Sequence, residues 1–373
     1  MIRVQKEIIL KDLEKKMVLL VGPRQAGKTF LAKDIAKSFS KSLYLNYDHL
    51  HDKKIIKEQS WLPDIELLIL DELHKMPNWK NYLKGIYDTK PSSMRLLVTG
   101  SARLDIFDNI GDSLAGRYFR HRLLPLSLAE LKQASESYSI DRLLERGGFP
   151  EPYFSTDVVD SDRWRLQYIN SILSTDIFEF ETIHNLKGMR LVFDLLRNKI
   201  GSPISYKGLA EDVGVSPTTI KKYIQILQSV FVIFTVTPYS RNIARSLLKE
   251  PKIYFFDTAL VQGTEGAKLE NLVAVSLLKY SYARVDNLAE ECALHYLRTK
   301  DGEEVDFIIA NPAGVESLIE VKLSDHTLSK SLWRFKEKYQ LPAIQLIKNL
   351  TKEQQTQGIN LLNVQNYLSS LYL

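Results

Sequence analysis

Cysteine is nearly absent: Cys292 is the single one in 373 residues. One thiol excludes an internal disulfide and a cysteine-built metal cluster, and it suits a reducing cytosol. Long apolar runs are absent too. No stretch approaches the ~20 residues of a membrane-spanning helix, so no membrane partner is expected. The first residues hold no signal-type apolar core, which adds to the expectation of a cytoplasmic protein. Neither sign of charge dominates, with 50 Lys and Arg against 45 Asp and Glu, a net +5. That mild excess permits a nucleic-acid partner without requiring one. No internal repeat or low-complexity tract interrupts the chain. What is left is ordinary globular composition, 45% hydrophobic and 25% charged, and a length that suggests two or three domains.

The most specific stretch is Gly22-Pro23-Arg24-Gln25-Ala26-Gly27-Lys28-Thr29, a complete phosphate-loop pattern. The apolar strand Met17–Val21 leads into it and a helical pattern starting Thr29-Phe30 leads out, the order the motif requires. Gly22 and Gly27 let successive backbone N–H groups turn toward phosphate oxygens. The helix N-terminus adds its partial positive charge. Lys28 is expected to reach the β- and γ-phosphates of ATP and Thr29 to ligate Mg²⁺.

Glu66–Glu72 is the second anchor. Its continuous apolar run reads as a buried parallel strand, and it ends in Asp71-Glu72 at the sheet edge where ligands bind. Asp71 is the expected Mg²⁺ partner, and Glu72 the general base for the attacking water. A third strand ends in Thr99-Gly100-Ser101. Either Thr99 or Ser101 could touch the γ-phosphate or the water, with Ser101 favoured; an ordinary turn gives the same residues. Arg117, in Ala115-Gly116-Arg117, is the candidate cation for the γ-phosphate, acting in cis or across a subunit boundary. Such an arginine can be worth ~10³ or more in rate. Asp48–Ser60, with His49 and His51, reads as a polar, irregular, solvated loop.

These motifs occur in one order with Leu124-Pro125-Leu126-Ser127 and Gly147-Gly148-Phe149-Pro150-Glu151. The whole chain resembles the prokaryotic AAA-type P-loop ATPases that carry a C-terminal domain of unknown function. The resemblance implies an α/β fold: an AAA-type P-loop domain with a helical lid, then a winged helix, then an α/β nuclease-like domain. The expected boundaries are 1–126 for the ATPase, 127–200 for the lid, 201–262 for the winged helix and 263–373 for the last domain.

The residues of the rear half carry parts of this reading themselves. Lys207–Val213, Gly214-Val215 and Ser216–Gln228 have helix-turn-helix layout, with Ser216 as N-cap and Pro217 at the first helical position. Thr218, Lys221 and Lys222 fall on the second helix. Phe231–Thr237 and Lys252–Phe256 look like a wing hairpin. Arg241 and Arg245 lie on its connection, where phosphate contacts are natural. Double-stranded DNA is the expected partner; packing between domains is the competing use of the same module.

Further on, Asp306 and the sequence Glu320-x-Lys322 sit on neighbouring strand patterns, after a helix bearing Glu270. This constellation resembles the PD-(D/E)XK nuclease core, and the resemblance implies carboxylates gathering Mg²⁺ with Lys322 holding phosphate or water. Solvent-facing strands show the same pattern without chemistry. Three functions stay open at this stage: a DNA-associated ATPase, an ATP-gated Mg²⁺-dependent nuclease, and an ATP-driven switch on a protein partner. If Arg117 acts in trans, the working unit is a homo-oligomer.

Overall fold

The structure is a computed structural model, and it describes residues 3–100, 114–176, 185–240, 250–299, 301–324 and 327–372. Ser101, Arg241 and Arg245 lie outside the described residues. The chain divides into two units, Met1–Leu124 and Pro125–Leu373. The three parts expected after residue 126 stand together in the second.

In the first unit the strands are β1 (Met17–Val21), β2 (Ser42–Asn46), β3 (Leu67–Asp71), β4 (Arg95–Gly100) and β5 (Tyr118–Arg122). They form a five-stranded sheet in the order β2-β3-β4-β1-β5, and each neighbouring pair is parallel. Period two splits each strand between two cores. Met17, Leu19 and Val21 pack with Leu68, Leu70, Leu83 and Ile86 on one face. Val18 and Leu20 pack with Leu67, Ile69, Leu31 and Ile35 on the other. Burial on both faces explains why β1 and β3 are apolar at every position up to the terminal Asp71. The parallel register brings the ends of β1 and β3 to one carboxyl edge.

One expectation fails here. Asp48–Ser60 is not irregular: Leu50–Glu58 is a helix, with Ile56 its one buried residue. A helix that touches the core through so little shows no 3.6-residue apolar period. His49 precedes it and sits 3.0 Å from Asp52 Oδ1.

The second unit begins with the helices Leu128–Gln133, Ile140–Arg146, Pro150–Phe154, Val158–Ser171 and Leu186–Leu196. Then come Tyr206–Val213 and Pro217–Ser229, followed by β6 (Ile233–Pro238) and β7 (Lys252–Phe255), which pair antiparallel. The long helix Glu265–Leu288 leads to β8 (Ala293–Arg298), β9 (Glu304–Asn311), β10 (Gly314–Lys322), β11 (Ala343–Ile347), β12 (Gln354–Thr356) and β13 (Ile359–Asn363). These strands form one eight-stranded sheet, β12-β13-β11-β10-β9-β8-β6-β7. The link is β6 to β8, parallel, through Thr237 and Pro238 opposite His295 and Tyr296. The boundary expected at 262/263 therefore falls inside one sheet. Buried Asn271 on the long helix pins the end of β7: it accepts from the Phe255 N–H at 2.8 Å and donates to the Phe255 carbonyl at 2.9 Å.

Candidate functional site

The phosphate loop bends through left-handed backbone, with φ +150° at Gly22, +61° at Gln25 and +96° at Gly27. A Cβ on Gly22 would stand 2.2 Å from the Leu123 carbonyl oxygen, so glycine is a steric requirement there as well as a conformational one. Pro23 and Ala26 are buried, Arg24 is half-buried, and Gln25 and Phe30 are exposed. Lys28 folds back over the loop, donating from Nζ to the carbonyls of Gly22 (2.8 Å) and Pro23 (2.7 Å). Those two acceptors hold a nearly buried ammonium beside the loop.

Asp71 is the centre of the arrangement. Its Oδ2 accepts from Thr29 Oγ1 at 2.9 Å and from the Tyr44 hydroxyl. Its Oδ1 accepts from the Thr99 hydroxyl and, at 3.0 Å, from the Glu72 N–H. The carboxylate is thus oriented from both sides while buried. Oxygen donors Thr29 and Asp71 side by side fit the hard cation Mg²⁺. Thr99, of the two strand-end candidates, is seen to hold Asp71; Ser101 lies outside the described residues.

Glu72 follows in left-handed conformation, φ +56°, which swings its side chain away from the strand direction. Burial pushes its carboxyl pKa up; Lys28 pulls against that and Asp71 adds to it. His74 and Lys75 each stand 3.7 Å from Oε2. A raised carboxyl pKa close to the loop is what a base for water requires.

Arg117 sits elsewhere. Its carbonyl accepts from the Met17 N–H at the start of β1, so it belongs to the amino edge of the sheet. β1 alone spans about 13 Å at ~3.3 Å per residue. Its guanidinium forks onto Asp88, at 2.8 Å and 3.1 Å. Within one chain Arg117 does not face the phosphate loop, and the cis reading is corrected accordingly.

In the second unit, Ser216 caps the helix Pro217–Ser229 by accepting from the Thr219 N–H. Ile220, Tyr223, Ile224 and Leu227 face inward. Thr218, Lys221 and Lys222 are exposed on the opposite side.

The acidic residues of the second unit do come together, but not around a vacancy for a metal. Asp306 and Glu320 lie on the antiparallel pair β9–β10, and Asp306 Oδ2 accepts from the Val321 N–H at 2.9 Å. Lys252 Nζ, fully buried, stands 2.6 Å from Glu304 Oε1, 3.4 Å from Glu270 Oε1 and 3.9 Å from Asp306 Oδ1. The Tyr254 hydroxyl donates to Glu270 Oε1 at 2.7 Å, and Lys322 pairs with Glu320 Oε1 at 2.9 Å. Burial raises the Asp306 pKa well above the usual carboxylate range; Glu270 and Glu320 add to it, and Lys252 and the Val321 amide oppose it. Burial alone would lower the Lys252 pKa, but Glu270, Asp306 and Glu304 outweigh it and the net shift is upward. Among the described residues no group of three or more His, Cys, Asp or Glu is arranged to hold a metal ion. The expected Mg²⁺ set of Glu270, Asp306 and Glu320 does not fit that ion as arranged.

Three residues of these sites do not stand out in the sequence. Tyr44 reaches Asp71 because β2 lies beside β3, with Asn46 opposite Asp71; a tyrosine near a strand's carboxyl end is its only signal. Lys252 is marked only as a lone cation entering the apolar strand Ile253-Tyr254-Phe255. Glu304 carries no signal.

Three family models match successive stretches of the chain. A model described as an AAA domain matches residues 14–132. Two models described as domains of unknown function (DUF8612 and DUF4143) match residues 137–270 and 265–367. An uncharacterized protein of Mycobacterium tuberculosis is 29% identical over 310 residues, covering 80% of this chain and 69% of the relative. One from Methanocaldococcus jannaschii is 25% identical over 344 residues, covering 82% and 75%. Among solved structures, a Walker-type ATPase of Pyrococcus abyssi aligns with TM-score 0.44 and 12% identity, over 69% of this chain and 93% of that one. The Aeropyrum pernix Orc1 protein, solved in complex with DNA, aligns with TM-score 0.35 and 14% identity, over 74% and 94%. No helix among the described residues is long and apolar enough to cross a membrane. The domain match over residues 14–132, laid on a parallel sheet whose first strand runs into a glycine-bent loop, supports an AAA-type ATPase.

Proposed function

We propose that this protein binds and hydrolyses ATP in its first unit, and that the nucleotide state governs engagement of double-stranded DNA by its second. The hydrogen bond from Thr29 to Asp71 carries the first half. It joins the hydroxyl after the loop lysine to the carboxylate at the tip of β3, which is the pairing a triphosphate–Mg²⁺ site needs.

In this reading residues 22–30 receive the phosphates. Loop N–H groups and the N-terminus of the helix Lys28–Ala36 face the anionic oxygens. Lys28 exchanges its two carbonyl partners for phosphate oxygens. Thr29 and Asp71 hold Mg²⁺, which offsets charge on the β- and γ-phosphates when bound. Tyr44 and Thr99 keep Asp71 aimed. Glu72 accepts a proton from the attacking water, and Ser101 is assigned to the γ-phosphate side. Arg117 serves only if a second copy presents it, which makes a homo-oligomer part of the proposal. Its readout is specific activity that climbs with protein concentration and ceases to climb in Arg117→Ala.

The DNA half rests on the exposed face Thr218, Lys221 and Lys222, opposite the buried face of a capped second helix. That is the face a winged helix offers to a duplex; Arg241 and Arg245 are assigned to phosphate contacts from their place in the sequence alone. Nuclease chemistry is left out of this reading, because the acidic centre carries its own lysine.

The test is ATP binding and turnover by the full chain with Mg²⁺, with and without duplex DNA, across a salt series. ATP should bind and be hydrolysed, Lys28→Ala should lose binding, and duplex affinity should fall steeply with salt. An empty nucleotide site at millimolar Mg-ATP overturns the first half. Intact turnover without duplex binding at low salt overturns the second and leaves a switch acting on a protein partner.

A further inference from the structure

Lys252 has no part in the ATP or DNA reading, yet among the described residues it is the most enclosed cation of the rear unit, at 0% exposure. Stripping an ammonium of water costs several kcal/mol unless good partners repay it. Its partners come from two further elements: Glu270 from the long helix, and Glu304 and Asp306 from β9, met by a lysine on β7. In sheet order β8 and β6 separate β9 from β7, and the Lys252 and Glu304 side chains close that gap to 2.6 Å. The Tyr296 ring covers the ammonium at 5.3 Å.

We propose that Lys252 is the resident cation of this acidic centre, standing where a divalent ion would have to stand, and that the centre is a lock between β7, β9 and the long helix which binds no divalent metal. Glu304 Oε1, Glu270 Oε1 and Asp306 Oδ1 face Nζ at 2.6, 3.4 and 3.9 Å, so the ammonium takes the charge that a metal would otherwise balance. The fourth carboxylate, Glu320, gives Oε1 to Lys322. Glu320 keeps a buried oxygen, Oε2, without a hydrogen bond. A divalent ion placed among these groups would meet a like charge a few ångströms away. The proposal is independent of the ATP reading, which concerns the other unit.

The experiment is Mn²⁺ titration of the full chain without nucleotide, followed by calorimetry and manganese spin resonance. Wild type, Asp306→Asn, Lys252→Met, and Lys252→Met with Asp306→Asn are compared, with thermal melting to establish that each is folded. Wild type should show no Mn²⁺ binding that Asp306→Asn removes. Lys252→Met should gain a single Mn²⁺ site, and the added Asp306→Asn should abolish it. A wild-type site lost in Asp306→Asn overturns the proposal, and so does a folded Lys252→Met that gains nothing. If Lys252→Met does not fold, Lys252→Arg decides: a folded, Mn²⁺-silent arginine variant supports the lock, and an arginine variant that binds Mn²⁺ overturns it. If neither folds, the wild-type titration decides alone.

Discussion

Thr29 Oγ1 donates to Asp71 Oδ2 across 2.9 Å, although 42 residues separate the two. The bond exists because β1 and β3 run parallel with only β4 between them. Each strand delivers its last residues to the same edge, one ending in the loop and the other in carboxylates. Glu72, next along, inherits that edge.

Glu72→Gln should therefore bind ATP as wild type does and hydrolyse it more slowly by ~10² or more, the scale of general acid–base groups. Burial raises the Glu72 pKa, so its base form is lost at higher pH than for an ordinary glutamate near ~4.3. Wild-type turnover should fall on the acid side with a midpoint above that value, and the limb should be missing from Glu72→Gln. Full turnover in the variant, measured by phosphate release, removes Glu72 from the mechanism.

How much of the fold and site is legible in the chain follows from how local each signal is. Met17–Val21 and Leu67–Asp71 are buried on both faces, so unbroken apolar runs mark them without knowledge of neighbours. The loop glycines are demanded by their own backbone angles. Tyr44 depends on β2 lying beside β3, and Lys252 on β7, β9 and a helix meeting. Each leaves only a weak mark at the residue itself, a tyrosine near a strand's end and a lone cation entering an apolar strand. Arg117 shows the converse failure: its neighbours in sequence match the family pattern, while its place at the amino edge depends on where β5 begins beside Met17.

Tyr44 makes a second test. Its hydroxyl shares Asp71 Oδ2 with Thr29, and Lys33 covers its ring at 4.8 Å. Tyr44→Phe keeps the ring and removes one donor from the carboxylate. Groups that orient a metal's ligands typically cost ~10–100-fold in metal affinity or activity when removed. The Mg²⁺ concentration giving half-maximal ATPase should rise within that range, with ATP binding in the absence of metal unchanged. An unshifted Mg²⁺ dependence sinks the role.

Gly22 offers a steric test. A methyl there would meet the Leu123 carbonyl oxygen at 2.2 Å, and φ is +150°. The obstacle is backbone on the adjacent strand connection and cannot swing aside. Gly22→Ala should cost roughly 2 kcal/mol or more, in the range of strained backbone and overpacking, and should lower the melting temperature even without nucleotide. Gly27→Ala meets no atom within 4 Å and should lose stability only through its φ of +96°, hence by less. Equal melting losses for the two variants would show that the approach to Leu123 is not what matters.

The last test separates binding of DNA from mere packing by the helix Pro217–Ser229. Lys221 and Lys222 are exposed, while Ile220, Tyr223 and Ile224 beside them are buried. Alanine at both lysines should therefore leave folding intact. If each ammonium neutralises a phosphate, the slope of log affinity against log salt should become shallower by about 2, near 0.9 for each phosphate no longer neutralised. The weakening should be similar for unrelated duplex sequences, because phosphates carry no base identity. A double variant that melts like wild type and keeps the wild-type slope would move the lysines off the DNA and leave this helix a packing element.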